Sequence, residues 1–293
     1  MKPSSLSRKL GWVLAAVFVT QAAHAEPGTG NEESLPPHLS DRGTGVPISS
    51  IGTYVRDGEW LVMPSFTYYS DSDIQYDPNE FGYPSPTEFS GQYRANEASV
   101  LVAYGLSDRI ALELKAAATD ASLEKASADL SGMPAEVQES GLGDAKVRLD
   151  WRWLTESGNR PEMFSFVEVF FPHDEDKILV GTPDWVSQVG IGAVRGFNWG
   201  TVTFRAAMLY ELASSSKTDW GEVSVEYLKR LSPKFSVVGA LAMNEGDEGT
   251  LITELQWRVT PSVVIKFNNG LGFTSAGMDW VPQIGVLFSF PED

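Results

Sequence analysis

The sequence predicts an all-β protein, a twelve-stranded antiparallel transmembrane β-barrel, on three observations. Apolar and polar residues alternate with a period of two along much of the chain. The alternating segments are about ten residues long, which is the length of strands that cross a membrane. The connections between them are short and long in turn, which is typical of a barrel with tight turns on one side of the membrane and long loops on the other.

The alternation is clearest in residues 144–153. Ala145, Val147, Leu149, Trp151 and Trp153 alternate there with Asp144, Lys146, Arg148, Asp150 and Arg152. One face of such a strand suits lipid and the other suits water. In a soluble sandwich the central strands would usually be apolar on both faces, and few of these segments are. The pattern therefore favours a membrane barrel.

The predicted strands span residues 59–70, 94–105, 108–118, 143–154, 161–171, 185–196, 200–212, 220–231, 234–244, 250–259, 262–272 and 281–290. Tight turns are predicted at residues 105–107, 156–159, 197–199, 232–233 and 260–261. Two of the long connections are large, residues 71–93 and 119–141. The second is predicted to contain a short helix at Asp120–Leu130. The last strand ends on aromatic residues, as the final strand of an outer-membrane barrel does.

The first 25 residues have the pattern of a cleaved signal peptide. Lys2, Arg8 and Lys9 precede an apolar stretch, residues 10–19, that is too short to span a bilayer. The small residues Ala23 and Ala25 complete a cleavage pattern, so a mature chain that starts at residue 26 is expected. Residues 26–57 are rich in Gly, Pro and Ser and are predicted to form an irregular periplasmic or lumenal segment. Residues 58–293 are predicted to form the barrel, integral to the bacterial outer membrane.

Charge and composition exclude several classes of partner and site. The formal net charge is −17, and loss of the signal peptide would leave 19 basic and 39 acidic residues. So acidic a surface repels nucleic acid, and no nucleic-acid partner is expected. The chain has no cysteine, which rules out disulfides and thiolate metal sites. No cofactor is predicted.

Charged side chains at inward positions of the predicted strands are expected to line the lumen. These residues are Arg109, Glu113, Lys115, Lys146, Arg148, Asp150, Arg152, Arg205, Glu222, Glu226, Glu254, Arg258 and Lys266. Two interpretations stay open: the charges pair and fill the interior, or facing rows of opposite sign orient passing solutes. Because twelve strands lie between a filled barrel of about eight and an open pore of about sixteen, a narrow path is expected. Gly190 and Gly192 are expected to leave local room in its wall.

Two prolines lie in strands that a closed barrel must pair with each other, Pro64 in the first and Pro282 in the last. Each removes one ladder hydrogen bond. On one interpretation they weaken a lateral seam through which an apolar solute could leave into the lipid. On the other they sit at different heights, at a bulge and at a strand end, and weaken nothing.

Metal and catalytic sites are not predicted. Asp71, Asp73 and Asp77, and the acidic run 174–176 beside His173, superficially resemble calcium ligands, but their spacing lacks the glycine and terminal Glu of an EF-hand loop. A solvated acidic face is the better interpretation, and loose bridging by divalent cations to lipopolysaccharide phosphates is the functional alternative. Enzymatic barrels need a histidine paired with Ser or Asp. Only His38 and His173 follow the signal peptide, and no motif supplies a partner.

Several motifs resemble a known family. They are the run Arg42–Pro47, residues 52–56 with Gly58 and Glu59, the turn Tyr104–Arg109, and Glu139–Asp144. In these, and over most of the mature chain, the sequence resembles the bacterial outer-membrane channel family named for the meta-pathway of phenol degradation. The resemblance implies a monomeric twelve-stranded barrel that admits small, rather hydrophobic molecules, and it implies no catalytic residue.

The function expected is passive diffusion of a small, hydrophobic or aromatic solute across the outer membrane. Nothing in the chain provides an energy source, so a concentration gradient would drive the solute. Two alternatives stay open: a general narrow pore for small polar solutes, which the charged lumen would suit, and a closed barrel with a structural or adhesive role. The expected surroundings are outer-membrane lipid and lipopolysaccharide.

Overall fold

The computed structural model describes residues 35–173, 177–182, 184–211, 217–244 and 248–292. The predicted signal peptide, residues 26–34 and the acidic run 174–176 lie outside these residues. Within the described ranges, no helix is both long enough and apolar enough to cross a membrane.

A closed antiparallel sheet forms most of the molecule. A small hairpin of β1 (Val46–Pro47) and β2 (Tyr54–Val55) precedes it. The strands of the sheet are β3 (Trp60–Tyr76), β4 (Phe89–Ser107), β5 (Ile110–Glu124), β6 (Glu136–Leu142), β7 (Ala145–Leu154), β8 (Glu162–Phe171), β9 (Val186–Phe197), β10 (Gly200–Glu211), β11 (Lys217–Arg230), β12 (Phe235–Met243), β13 (Gly249–Thr260), β14 (Val263–Gly272) and β15 (Val281–Phe290). β15 pairs with β3, and this pairing closes the barrel.

β6 and β7 together form one strand of the wall. β6 pairs with the C-terminal half of β5, at the end of the barrel with the long loops, where Ala118 faces Leu142. β7 pairs with the N-terminal half of β5, at the end with the tight turns, where Lys115 faces Lys146. The register shifts by one residue between them, at residues 143–144, as in a β-bulge. In the described part of the chain the wall therefore has twelve strands, and the predicted fold is confirmed.

The first four wall strands extend farther outward than the sequence predicted. β3 and β4 form one hairpin up to residues 76 and 89, and β5 and β6 another up to residues 124 and 136. The predicted helix at Asp120–Leu130 is wrong, because Asp120–Glu124 belong to β5 and the following residues form a loop. Alternation continues through this extension: buried Ala121 and Leu123 face inward, between polar residues that face outward. Cross-strand pairing therefore outweighs the weak local preference for a helix.

Lipid-facing aromatic residues mark the two edges of the apolar exterior. At the end with the tight turns, Trp60 contacts Tyr104 and Trp199 stacks between Phe197 and Tyr227. Toward the other end, Tyr68 contacts Trp280 and Phe171 contacts Trp185. Between these levels the exposed residues are mostly Val, Leu, Ile, Phe and Met. Two aromatic girdles around an apolar band define the membrane position, with the tight turns in the periplasm.

Gly190 and Gly192 face inward, but the room they leave is filled by aromatic rings of β8. A Cβ atom on Gly190 would lie 2.2 Å from the ring of Phe166, and one on Gly192 would lie 2.2 Å from the ring of Phe164. The expected local opening in the wall is therefore absent at these described positions. The glycines instead make room for two phenylalanine rings of the neighbouring strand, a known use of glycine beside aromatic residues in sheets.

We expect Gly190→Ala to destabilise the barrel by about 1–3 kcal/mol, the usual cost of overpacking, because the Phe166 ring has to move. Gly239→Ala is the control, since a Cβ atom there meets nothing within 4 Å. The measurement is urea unfolding of the refolded protein in detergent micelles. Equal midpoints for the two variants would contradict the packing described.

Candidate functional site: the barrel interior

The N-terminal segment enters the barrel from the periplasmic end, and a buried arginine holds it there. The guanidinium of Arg42 forms ion pairs with Glu156 at 3.0 Å and with Glu162 at 3.1 Å, and it lies over the ring of Tyr54. All these charges are almost inaccessible to solvent. Asp41 adds an ion pair with Lys229 at 3.1 Å. Buried ion pairs with this geometry hold a segment in one place.

Charged side chains of the wall bind the backbone at the tip of the N-terminal hairpin. The carboxylate of Glu113 accepts bonds from the backbone N–H of Ser49 at 2.8 Å and from its hydroxyl at 2.5 Å. Glu226 accepts a bond from the N–H of Gly52 at 2.8 Å. Arg205 donates to the carbonyl of Ile48 at 2.7 Å. The backbone N–H and C=O groups of this turn have no neighbouring strand to bond, so the charged side chains of the wall serve as their hydrogen-bond partners.

Glycines allow the close approach of the hairpin to the wall. Gly45 has a φ of +129°, and a Cβ atom on it would lie 2.8 Å from the carbonyl oxygen of Val55. Gly105 and Gly196 belong to wall strands, and a Cβ atom on either would lie 1.8 Å from a backbone carbonyl oxygen of the segment, that of Arg56 or His38. Side chains at Gly105 and Gly196 would therefore exclude the segment from the barrel, and one at Gly45 would disturb the pairing within the hairpin itself.

Most predicted lumen charges form ion pairs inside the barrel. Lys146 and Glu168 form an ion pair at 2.9 Å, and the guanidinium of Arg148 bonds Asp150 and lies 3.7 Å from the centre of the Phe166 ring. Further pairs join Lys115 to Glu97 at 3.2 Å and Lys266 to Glu254 at 2.7 Å. The partners Glu97 and Glu168 are not among the predicted lumen residues, although Glu168 stands between two valines. For these residues pairing and filling is the better of the two interpretations.

Arg205, Glu222 and Glu226 form an exception to this pairing. The register places Arg205 opposite Ser224, between the two glutamates of β11. Within the described residues, the Nε of Arg205 and one oxygen of each carboxylate are buried without a hydrogen-bond partner. The guanidinium bonds the hairpin instead. This part of the wall therefore holds charge that the N-terminal hairpin partly satisfies.

The outer part of the interior is apolar. Its buried residues are Tyr69, Ile74, Tyr76, Tyr93, Ala95, Ala121, Leu123, Met133, Leu179, Met278 and Val281, and we call this set the outer apolar cluster. Strands β3, β4 and β5 contribute one side of it. The connections around Met133, Leu179 and Met278 fold over the other side. The outer end of the barrel is thus covered by an apolar surface of loops against strands.

Tyr76 and Asp129 fasten one of these loops. The hydroxyl of Tyr76 donates to Asp129 at 2.9 Å and accepts the N–H of Ala126 at 2.9 Å. Burial by itself would raise the pKa of Asp129, but hydrogen bonds from Ser131 and Tyr76 hold that pKa below its ordinary value of 3.8. The carboxylate is therefore charged at neutral pH, and the loop is held by charge-assisted bonds.

The structure differs from the predicted lumen set at its periplasmic end. Arg109 is exposed in the turn between β4 and β5, so its prediction as a lumen residue is wrong. The turn includes Arg109 because β5 begins at Ile110, two residues later than predicted. Arg152 faces inward and bonds the carbonyls of Gly45 and Asp108. Arg258 is half-buried near the same end. The other ten predicted residues are buried on inward positions of the wall.

Pro64 and Pro282 both lie in the ladder between β3 and β15. Partners pair at Trp60–Val62 with Phe288–Phe290 and again at Ser65–Thr67 with Gln283–Gly285. The ladder is interrupted between these segments, at Pro64, and again beyond the second, at Pro282. The prolines thus sit at different heights of one seam.

The acidic loop residues do not group as the sequence suggested. Asp71 and Asp73 lie near Asp279 of the β14–β15 connection, with one oxygen of each within 4.8 Å of the others. Asp77 instead accepts bonds from Asn79 in its own turn. Asp279 accepts the N–H and hydroxyl of Ser72, so it ties two outer connections together. His38 and His173 lie at opposite ends of the barrel.

Comparison with known proteins identifies the fold. No family model and no curated relative matches the chain. An outer membrane channel from Pseudomonas putida F1 aligns with a TM-score of 0.57 and 11% identity, covering 90% of this chain and 100% of that one. The KdgM porin in complex with disordered oligogalacturonate aligns with a TM-score of 0.50 and 7% identity, covering 78% and 99%. The shared fold and the apolar exterior make this chain an integral outer-membrane barrel.

We expect Arg42→Met to release the N-terminal segment, because it removes the buried cation that Glu156 and Glu162 share and leaves them only the longer contacts to Arg195 and Arg152, each at 3.4 Å. Breaking a buried pair costs about 3–5 kcal/mol. The expected result in planar bilayers is a larger and noisier ion conductance than that of the wild type. Arg94→Met is the control, since Arg94 is exposed and its side chain bonds only Gln92 among the described residues. Unchanged conductance in Arg42→Met would contradict the anchoring role.

We expect Tyr76→Phe to loosen the loop that carries Asp129, at a cost of about 1–3 kcal/mol for the buried groups left unbonded. Faster hydrogen exchange at residues 125–134 is the measurement, with Tyr83→Phe as the matched control. In the wild type the same loosening should appear only below pH 3.8, the ordinary pKa of an aspartate, because the pKa of Asp129 in the folded protein is lower than that. A lowered carboxyl pKa stabilises the fold above the unfolded value and loses that effect on protonation. Equal exchange in both tyrosine variants would count against the fastening.

Proposed function

We propose that this barrel is an outer-membrane channel for passive diffusion of small hydrophobic or aromatic molecules. The observation that carries the proposal is the outer apolar cluster, an apolar surface inside a membrane barrel at the end that faces the medium. A barrel that passed polar solutes would instead present hydrated, charged surface at its outer mouth. The proposal includes no chemical step, no cofactor and no energy source.

The chemistry of the outer apolar cluster supports an apolar solute. Its tyrosine hydroxyls are engaged: Tyr69 donates to Glu97 at 3.2 Å, and Tyr93 donates to the carbonyl of Leu179 at 3.4 Å. The rings therefore present their faces rather than free hydroxyls. Met133 and Met278 add flexible, polarizable side chains that adapt to differently shaped apolar ligands. Aromatic solutes would gain ring contacts in addition to area burial.

The inner half of the barrel supports the same assignment, because it is poorly suited to polar solutes. Its charged side chains form ion pairs such as Lys146–Glu168 or hydrogen bonds to the N-terminal hairpin. Val46, Ile48 and Val55 of the hairpin are fully buried there. A polar solute would have to displace both. This makes a general pore for polar solutes the weaker proposal.

We further propose that the chain belongs to the family named for the meta-pathway of phenol degradation. The motifs that carry the resemblance have defined places in the structure. Residues 42–47 and 52–59 form the N-terminal hairpin and its entry, Tyr104–Arg109 include the wall glycine against which that segment packs, and Glu139–Asp144 include the bulge between β6 and β7. The barrel closes within one chain, which supports a monomer in contact with lipid and lipopolysaccharide.

The test is entry of two classes of solute into vesicles with lipopolysaccharide in the outer leaflet. We expect the protein to speed entry of the apolar aromatic probe N-phenyl-1-naphthylamine at least 10-fold, and to speed entry of sucrose little. Entry is read from probe fluorescence and from vesicle swelling. Vesicles with heat-denatured protein are the control. Fast sucrose entry with no effect on the aromatic probe would favour the polar pore, and no entry of either solute would favour a structural barrel.

A further inference from the structure

We propose that the inner boundary of the outer apolar cluster is a recognition site for the polar group of the solute, and that it selects aromatic molecules with a neutral hydrogen-bond donor, a hydroxyl or an amine. This inference rests on the proposed function and adds the substrate class. In the bound state the ring lies in the outer apolar cluster, and the donor points toward the periplasm, to a row of polar side chains on the wall.

Four polar side chains at this boundary lie side by side on adjacent wall strands. They are Gln283 of β15, Thr67 of β3, Glu97 of β4 and Thr119 of β5, and we call them the polar row. Each is the direct cross-strand partner of the next. All four face inward, and none is more than 6% exposed. The polar row is therefore one continuous edge across four strands.

The outer apolar cluster begins one step outward of the polar row. Side chains two residues apart on a strand face the same side and are about 7 Å apart along it. Two residues outward of the polar row, on the same four strands, are Val281, Tyr69, Ala95 and Ala121, all members of the outer apolar cluster. The interior thus changes from apolar to polar within a single step, an arrangement that fits a solute with one apolar and one polar end.

Two atoms of the polar row are buried without a hydrogen-bond partner among the described residues. They are the amide oxygen of Gln283 and the hydroxyl oxygen of Thr119. The amide nitrogen of Gln283 donates to Thr67 at 2.8 Å, which leaves the oxygen as an acceptor. Because buried polar atoms are almost always bonded, two unbonded atoms on one row indicate a place for a ligand.

Tyr69 shows how a hydroxylated ring fits across this boundary. Its ring belongs to the outer apolar cluster, and its hydroxyl donates to one oxygen of Glu97 on the polar row at 3.2 Å. The other oxygen of Glu97 accepts a bond from Lys115 at 3.2 Å. The chain itself thus places a ring in the apolar part with its donor on the polar row. A solute of the same chemistry makes the equivalent contact at Gln283 or Thr119.

The polar row is rich in acceptors, and this decides which polar group it binds. The unbonded oxygen of Gln283 and the carboxylate of Glu97 can only accept. A carboxylate on the solute would bring no proton to these oxygens and would add a negative charge beside Glu97. An ether or a hydrocarbon brings no proton either. A site that bonds a hydroxyl rejects an analogue without one, because its own buried group is then left unpaired.

The experiment compares two solutes that differ by one methyl group, 1-naphthol and its methyl ether 1-methoxynaphthalene. Each is used to inhibit entry of N-phenyl-1-naphthylamine into the lipopolysaccharide vesicles, and the readout is the ratio of the two half-inhibitory concentrations. We expect 1-naphthol to inhibit the wild type at about 10-fold lower concentration, the usual effect of satisfying one buried acceptor.

Gln283→Leu removes the acceptor, and with it the two half-inhibitory concentrations should become about equal. The loss of packing or of the bond to Thr67 would affect both solutes alike, so a change in their ratio reports the contact with the hydroxyl. Gln188→Leu is the matched control, since Gln188 is another buried, inward glutamine, on β9 and outside both the polar row and the outer apolar cluster. It should keep the wild-type ratio. Thr119→Val, which replaces a hydroxyl by a methyl, should lower the ratio in the same direction.

Three outcomes would overturn the proposal. If both solutes inhibit the wild type equally, the polar row selects nothing, and the channel still stands. If the preference for 1-naphthol survives in both Gln283→Leu and Thr119→Val, the donor is bound elsewhere and the polar row is not the site. If the wild type gives no probe entry at all, the proposed function fails and the selection fails with it.

Discussion

A β-sheet in lipid must bond all its backbone donors and acceptors to itself, and the ladder between β3 and β15 is where this barrel meets that requirement. No water in the bilayer core can replace a missing partner, so an open sheet edge would leave several kcal/mol unsatisfied per group. Closure fixes the number of wall strands, and with it the width of the interior. It is notable that both proline interruptions fall on this ladder, where a break is most consequential.

The narrow interior that closure creates sets a second constraint. Side chains from twelve strands point into it, and many of these side chains are charged, so the charges need partners within reach. Ion pairs such as Lys115–Glu97 and Lys266–Glu254 meet part of this need. The backbone of the N-terminal hairpin meets another part, since Glu113 and Arg205 bind its N–H and carbonyl groups. The hairpin and the charged wall thus stabilise each other, and neither would be well satisfied alone.

The same constraints explain why the interior has a charged part at the periplasmic end and an apolar part at the outer end. Charged side chains and the N-terminal hairpin occupy the periplasmic half of the interior, at the end where tight turns connect the wall strands. The first strands extend beyond the outer girdle, and loops fold against them to bury an apolar cluster. The interior thus combines an apolar outer part with a charged part at the periplasmic end.

How much of this the sequence predicted depends on the range of the interactions involved. Alternation is local, so strands such as 162–171 and 281–290 were placed to within a residue or two. The helix at Asp120–Leu130 was wrong because strand extension depends on the neighbouring strand, which local preference does not contain. Arg109 was misplaced because a shift of one or two residues at a strand end moves a side chain from lumen to turn. Gly190 was read as open space because the Phe166 ring that covers it comes from another strand.

The sequence by itself determined the barrel, its strand number and the inward side of most strands, because a period of two and turn residues are encoded in neighbouring positions. It also placed the two prolines on the closing strands. Only the tertiary structure decided which charges pair, that the N-terminal segment fills the periplasmic end of the barrel, and that the closing ladder is interrupted at both prolines. Those facts depend on register and on distances between residues far apart in sequence, such as Arg42 and Glu156, which appear only once the sheet has closed.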